Sequence, residues 1–152
     1  MKIGIISDTH GTITPQALDA LKGVDRILHA GDVTTIDIIQ ALQRIAPVSA
    51  VRGNMDYGDM GHNLPPTDML EFDGVCFYML HNLHALDIDP PAAGVQVVIS
   101  GHTHQPEIKT IGGVIYFNPG SASQGRYGSP PSVGQIELLD HRIIPRIIPL
   151  DG

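Results

Sequence analysis

Lys2–Gly11 reads KIGIISDTHG, an apolar run suited to a buried strand and then an abrupt polar turn carrying Asp8 and His10. The same form recurs twice. Residues 26–32, RILHAGD, place a short apolar strand before Gly31-Asp32, and residues 48–54, VSAVRGN, place another before Gly53-Asn54. Helix signals lie between them. Thr14-Pro15 supplies an N-cap and a first-turn proline for a helix with Ala17, Leu18 and Leu21 on its apolar face and Gly23 as its stop. Thr34 or Thr35 caps a second helix to about Ile45, with Ile38, Ile39, Leu42 and Ile45 at helical spacing, and Pro47 ends it. Strand, helix, strand, helix, strand predicts parallel strands with crossover helices. Polar groups then gather at the carboxyl ends of the strands, where open α/β sheets bind ligands.

After residue 60 strands dominate. Thr67–Phe72 and Val75–Leu80, separated by Asp73-Gly74, predict a β-hairpin. Val95–Ser100 is a further buried strand leading to Gly101-His102-Thr103-His104. Val114–Phe117, Ser132–Leu138 and Arg142–Leu150 complete the strands, with Asp140-His141 as a turn. The expected architecture is two sheets packed face to face with helices outside. The loop Gly120–Pro131, rich in Gly, Ser and Pro, is the segment expected to be mobile.

The 152 residues suit one domain, 1–152. No stretch approaches the roughly 20 apolar residues of a membrane span, and the N-terminus lacks the form of a secretory signal. The cytoplasm is therefore the expected location. Cys76 is the single cysteine, which excludes an internal disulfide, and it reads as a small apolar core residue. A formal charge of -7 with nine scattered Lys and Arg residues argues against an extended nucleic-acid surface.

Asp8, His10, Asp32, Asn54, His81, His102 and His104 are the candidate site residues. An extended D-x-H puts Asp8 and His10 on one side of the chain, so both side chains can meet one ion. Taken singly, each segment has an ordinary reading. Gly-Asp and Gly-Asn are turn signals, and a lone His81 at a strand end reads as a hydrogen-bonded core histidine. Two imidazoles in H-x-H are costly to bury without partners. Together the segments reverse those readings, because every one lies at a predicted strand end and offers an oxygen or nitrogen ligand. Two side-by-side divalent ions are implied, and the absence of thiolate suits Mn, Fe, Zn, Ni or Co. Two such ions would make the site locally cationic within an acidic chain, which fits a small anionic substrate. His29, His62 and His141 carry no signal of their own.

The motifs SDTHG (Ser7–Gly11), HAGD (His29–Asp32), VRGNMD (Val51–Asp56), His81, SGHTH (Ser100–His104) and NPGS (Asn118–Ser121) span nearly the whole chain. In this order the sequence resembles the calcineurin-like metallophosphoesterases, specifically the small YfcE-like phosphodiesterases. The resemblance implies a four-layer α/β/β/α sandwich of two mixed sheets. It implies Asp8, His10, Asp32 and His104 on one ion, and Asp32, Asn54, His81 and His102 on the other, with manganese the leading expectation and Ni, Fe, Zn or Co alternatives. The implied reaction is hydrolysis of small organic phosphodiesters by in-line attack of a metal-bridging hydroxide. A phosphomonoesterase is a variant of the same chemistry. A non-catalytic interaction scaffold on this fold is the second class, and it predicts eroded ligand positions.

Two departures from the family pattern stand out. Met55 occupies the place where many relatives have a histidine able to protonate the leaving group, which predicts a preference for leaving groups of low pKa; His84 is a candidate substitute acid. Asn82 follows His81 where glycine is usual, so it bears on substrate range. Tyr57, Met60 and Leu64 are candidates for a homo-oligomer contact.

Overall fold

The β-α-β-α-β stretch forms as the apolar spacing requires. In the computed structural model, which describes residues 1–125 and 128–150, β1 (Lys2–Ile6), β2 (Arg26–His29) and β3 (Val48–Ala50) pair in parallel. α1 (Pro15–Ala20) starts at Thr14, whose side chain accepts from the Ala17 backbone N–H at 3.2 Å, with Pro15 in the first turn. α2 (Ile36–Gln43) starts after Thr35 and buries Ile38, Ile39 and Leu42; it stops short of Ile45. β9 (Ser132–Leu139) adds to β1 antiparallel, and β10 (Arg142–Pro149) adds to β9, giving the order β10-β9-β1-β2-β3.

The second sheet has the order β4-β5-β6-β8-β7. The hairpin of β4 (Thr67–Phe72) and β5 (Val75–Leu80) is present, and Asp73 and Gly74 both take positive φ, as a two-residue turn matching strand twist demands. β6 (Val97–Ile99) lies between β5 and β8 (Val114–Asn118) and is parallel to both. β7 (Glu107–Ile111) was not expected from sequence. All five of its residues are exposed, so it carries no buried face to read. Its turn, Gly112-Gly113 with positive φ at both, was the available signal. α3 (Gly58–Asn63), GDMGHN, likewise has no apolar period in the sequence.

Ile3, Ile5 and Leu28 of the first sheet meet Phe77, Met79, Ile99 and Phe117 of the second in one buried cluster. α1 and α2 cover the outer face of the first sheet through Ala17, Leu21, Ile38, Ile39 and Leu42. The outermost layer on the second sheet is slight: Leu83 of a single 3-10 turn (Leu83–Ala85), then Leu86 and Ile88, pack on Tyr78, Leu80 and Val98, with Cys76 half-buried beside them. No helix among the described residues is long and apolar enough to cross a membrane.

Of the candidates for an oligomer contact, Met60 and Leu64 are half-buried against the cluster beneath the helices, and Tyr57 is strongly exposed, at 70 %. In the Gly120–Pro131 loop, Ser121 and Ser123 both donate to the Asp8 backbone carbonyl, each at 2.9 Å, which ties its first part to the Asp8 turn. Arg126 and Tyr127 of that loop lie outside the described residues.

Candidate metal centre

All seven candidate residues come together at the carboxyl ends of β1, β2, β3, β5 and β6. The local geometry differs from the extended D-x-H and H-x-H of the sequence reading. Asp8, His10, Asp32, His102 and His104 all adopt positive φ, between 49° and 73°. That backbone is strained for residues other than glycine, and such strain concentrates at functional sites. It bends each turn back over the strand ends. Asp8 and His10 still meet, with His10 Nε2 3.7 Å from Asp8 Oδ1. His102 and His104 diverge instead. His104 Nε2 lies 3.1 Å from His10 Nε2 and 3.3 Å from Asp8 Oδ1. His102 stacks edge-on to His81, and its Nδ1 faces Asn54 Oδ1 at 3.2 Å.

Two overlapping donor groups result: Asp8, His10 and His104, and Asp8, Asp32 and His81, with the ligand atoms of each within 4.8 Å of one another. Three buried side-chain atoms among the described residues lack a hydrogen-bond partner, and two of them, Asp8 Oδ1 and His81 Nε2, face this space. A buried carboxylate oxygen without a hydrogen bond is costly. A divalent cation satisfies both atoms, and the oxygen and imidazole donors suit it. The outward ring nitrogens are already committed. His81 Nδ1 donates to Ala30 O at 2.7 Å and His104 Nδ1 to Gln124 O at 3.2 Å, which leaves each Nε2 facing the centre.

Charge reinforces the arrangement. Burial works against ionised Asp32, yet the close His81 contact, the Met55 N–H bond to Oδ1 at 2.8 Å and the neighbouring His81 and His10 hold its pKa down at about 2. Burial likewise opposes a charged His81, but the Asp32 contact, the Asp8 and Asp32 charges and the Ala30 carbonyl raise its pKa.

Several residues inside the quoted motifs prove to organise the site, although the sequence assigns them no role. Asp56 is buried and accepts four backbone N–H groups: Asp32 (3.0 Å), Val33 (3.4 Å) and Gly53 (2.8 Å) on Oδ2, and Thr34 (2.7 Å) on Oδ1. It thus ties the Asp32 turn to the Asn54 turn. Asp56→Asn turns an amide toward at least one of those donors, and a loss of about 2–4 kcal/mol is expected, read as a lowered midpoint in urea unfolding. Asn118 donates to Gly101 O (3.0 Å) and Thr103 Oγ1 (3.1 Å), bracing the His102 turn from the NPGS loop.

His29 is also structural, and fully buried. Its Nδ1 accepts from the Gly31 N–H at 3.1 Å, so Nε2 carries the hydrogen and donates to Thr9 Oγ1 at 3.2 Å. Burial first, then the nearby His81, lower its pKa to about 3 against some help from Asp32. Between that value and about 6.5 the unfolded chain binds a proton that the folded chain refuses. Stability from this group is therefore complete above pH ~6.5 and is lost as pH falls, by at most about 1.4 kcal/mol per unit. His29→Gln is expected to flatten the slope of melting temperature between pH 4.5 and 6.5. An unchanged slope would assign the dependence elsewhere.

Residues 1–141 match the calcineurin-like phosphoesterase superfamily domain. The chain belongs to this superfamily. It is 37 % identical to a probable metallophosphoesterase of Methanothermobacter thermautotrophicus, over 97 % of this chain and 92 % of that protein. It is 28 % identical to the phosphodiesterase YfcE of Escherichia coli, over 90 % and 88 %. Its fold is also that of wild-type Vps29 from Entamoeba histolytica, solved with Zn²⁺, at a TM-score of 0.76 and 23 % identity over 99 % and 100 %. Its place among these relatives makes the chain a phosphoric ester hydrolase. Of the two departures from the superfamily pattern, Met55 is 40 % exposed and offers Asp32 only its backbone N–H. Asn82 caps the 3-10 turn, accepting from His84 N at 3.0 Å. His84 lines a separate cavity with Thr103, Lys109 and Tyr116, and the structure does not bring it into the ligand cluster.

Proposed function

We propose that this chain is a dinuclear metal-dependent phosphodiesterase acting on small organic phosphodiesters. The observation that carries the reading is the pair of buried atoms without a hydrogen bond, Asp8 Oδ1 and His81 Nε2, within two overlapping donor groups, with Asp32 Oδ2 3.3 Å from His81 Nε2 and 3.7 Å from His10 Nε2. Asp8, His10, Asp32 and His104 would hold one ion, and Asp32, Asn54, His81 and His102 the other, with Asp32 common to both. When bound, the ions supply Lewis acidity and a water of lowered pKa. The chain's own residues fix the carboxylates, hold the His81 and His104 tautomers with Nε2 inward and keep Asp8 buried. A scaffold role predicts lost ligands, and all seven positions keep one.

The deciding experiment strips the protein of metal and adds Mn²⁺, Ni²⁺, Zn²⁺ or Mg²⁺ back singly, with bis(p-nitrophenyl) phosphate as substrate. Metal-restored turnover is the expected result. Folded, metal-binding protein with no turnover would overturn the reading in favour of the scaffold. Because Met55 cannot transfer a proton, rates across a series of aryl and alkyl diesters are expected to fall steeply as leaving-group pKa rises. A flat dependence would mean another group donates.

A further inference from the structure

We infer that the cavity beside the ligand cluster contains a second anion subsite built on Arg52, so that preferred diesters carry a carboxylate or a further phosphate on one ester substituent. This inference rests on the phosphodiesterase reading above. The cavity, about 440 Å³, is lined by Asn54, His81 and His102 together with Arg52, Asn82 and Asp87. Arg52 is anchored twice. Its backbone N–H donates to Pro65 O at 2.8 Å, and its Nη1 donates to Gly61 O at 3.1 Å. No carboxylate among the described residues forms an ion pair with it. Asp87, the acid among the lining residues, accepts from the Tyr78 hydroxyl at 3.4 Å.

A guanidinium fixed at one nitrogen still presents the rest of its planar fork, a geometry that matches carboxylate and phosphate oxygens. Charge counting says which anion it meets. Two divalent ions would carry four positive charges; Asp8, Asp32 and the attacking hydroxide would cancel three, and the one left matches a diester phosphate bearing a single negative charge. The scissile group needs nothing from Arg52, so its charge is available to a second anion in the same cavity.

The test compares three p-nitrophenyl phosphodiesters that share a leaving group and differ in the second substituent: propyl, 2-carboxyethyl or 2-phosphoethyl. The metal-loaded protein is expected to favour one or both charged esters by ~10- to 100-fold in kcat/KM. Arg52→Gln should bring that ratio close to one, and Arg52→Lys should retain part of it. Calorimetry with 3-phosphonopropionate against propylphosphonate gives the same ratio as a binding constant, without turnover. Which charged ester wins distinguishes a carboxylate from a phosphate subsite. Equal use of all three esters by the unmodified protein overturns the subsite and leaves the phosphodiesterase standing. A variant that weakens propyl and charged ligands equally also overturns it, assigning Arg52 to the scissile phosphate. If none of the esters turns over with any ion, the phosphodiesterase reading is what has failed.

Discussion

Asp32→Asn is expected to lower metal-dependent diester hydrolysis by roughly 10³-fold or more while leaving the protein folded. The carboxylate reaches both donor groups: Oδ2 is 3.7 Å from His10 Nε2 and 3.3 Å from His81 Nε2. It is the one ligand assigned to both ions. Asparagine keeps the shape, and its carbonyl can still accept the Met55 N–H, so the turn should survive. What it loses is the negative charge and one anionic donor oxygen. Metal content by mass spectrometry, measured beside the rate, should fall from the two ions per chain proposed above. A variant that keeps both ions and its turnover would show that Asp32 holds the turn and not the ions.

Gly53→Ala is expected to cost about 1–3 kcal/mol, seen as a melting temperature lower by roughly 3–10 °C, together with ~10- to 100-fold weaker metal binding. A Cβ at Gly53 would overlap Asp32 Oδ1 and the Asp32 backbone nitrogen, and would sit 2.9 Å from Asp32 Cγ. Asp32 cannot retreat, because Asp56 holds its N–H and those of the next two residues. Gly101 is the matching contact on the other side, where a Cβ would overlap Ser7 Oγ and crowd Asp8 Oδ2 at 2.7 Å. Differential scanning calorimetry on metal-free protein and a metal titration separate the two effects. A stable Gly53→Ala protein with unaltered metal affinity would mean that this close approach does not position Asp32.

The parallel half of the first sheet was readable because β1 and β2 are buried runs ending in polar turns, with helices of clear apolar spacing between them. The antiparallel hairpins were readable where turn chemistry was explicit, as at Asp73-Gly74. β7 was missed because an exposed edge strand has no buried face, and period-two reading needs one. Its pairing with β8 rests on the Gly112-Gly113 turn and the backbone ladder. Asp56 stands in the quoted VRGNMD motif, but its role is not legible there, for a different reason. One acid after a turn looks the same whether it faces water or four backbone N–H groups.

What the sequence determined by itself was the inventory and its order: two Asp, one Asn and four His at strand ends, in a chain whose apolar spacing specifies parallel crossovers. Those are local properties, set by side-chain type and periodicity. Tertiary structure decided how the inventory is used. His102 and His104 are two residues apart, yet one meets Asn54 and His81 while the other meets His10 and Asp8. That division follows from left-handed backbone at both positions. Left-handed backbone is unfavourable in isolation. It is held by partners distant in the chain, such as the Asp8 carboxylate that accepts the His102 N–H from 94 residues away.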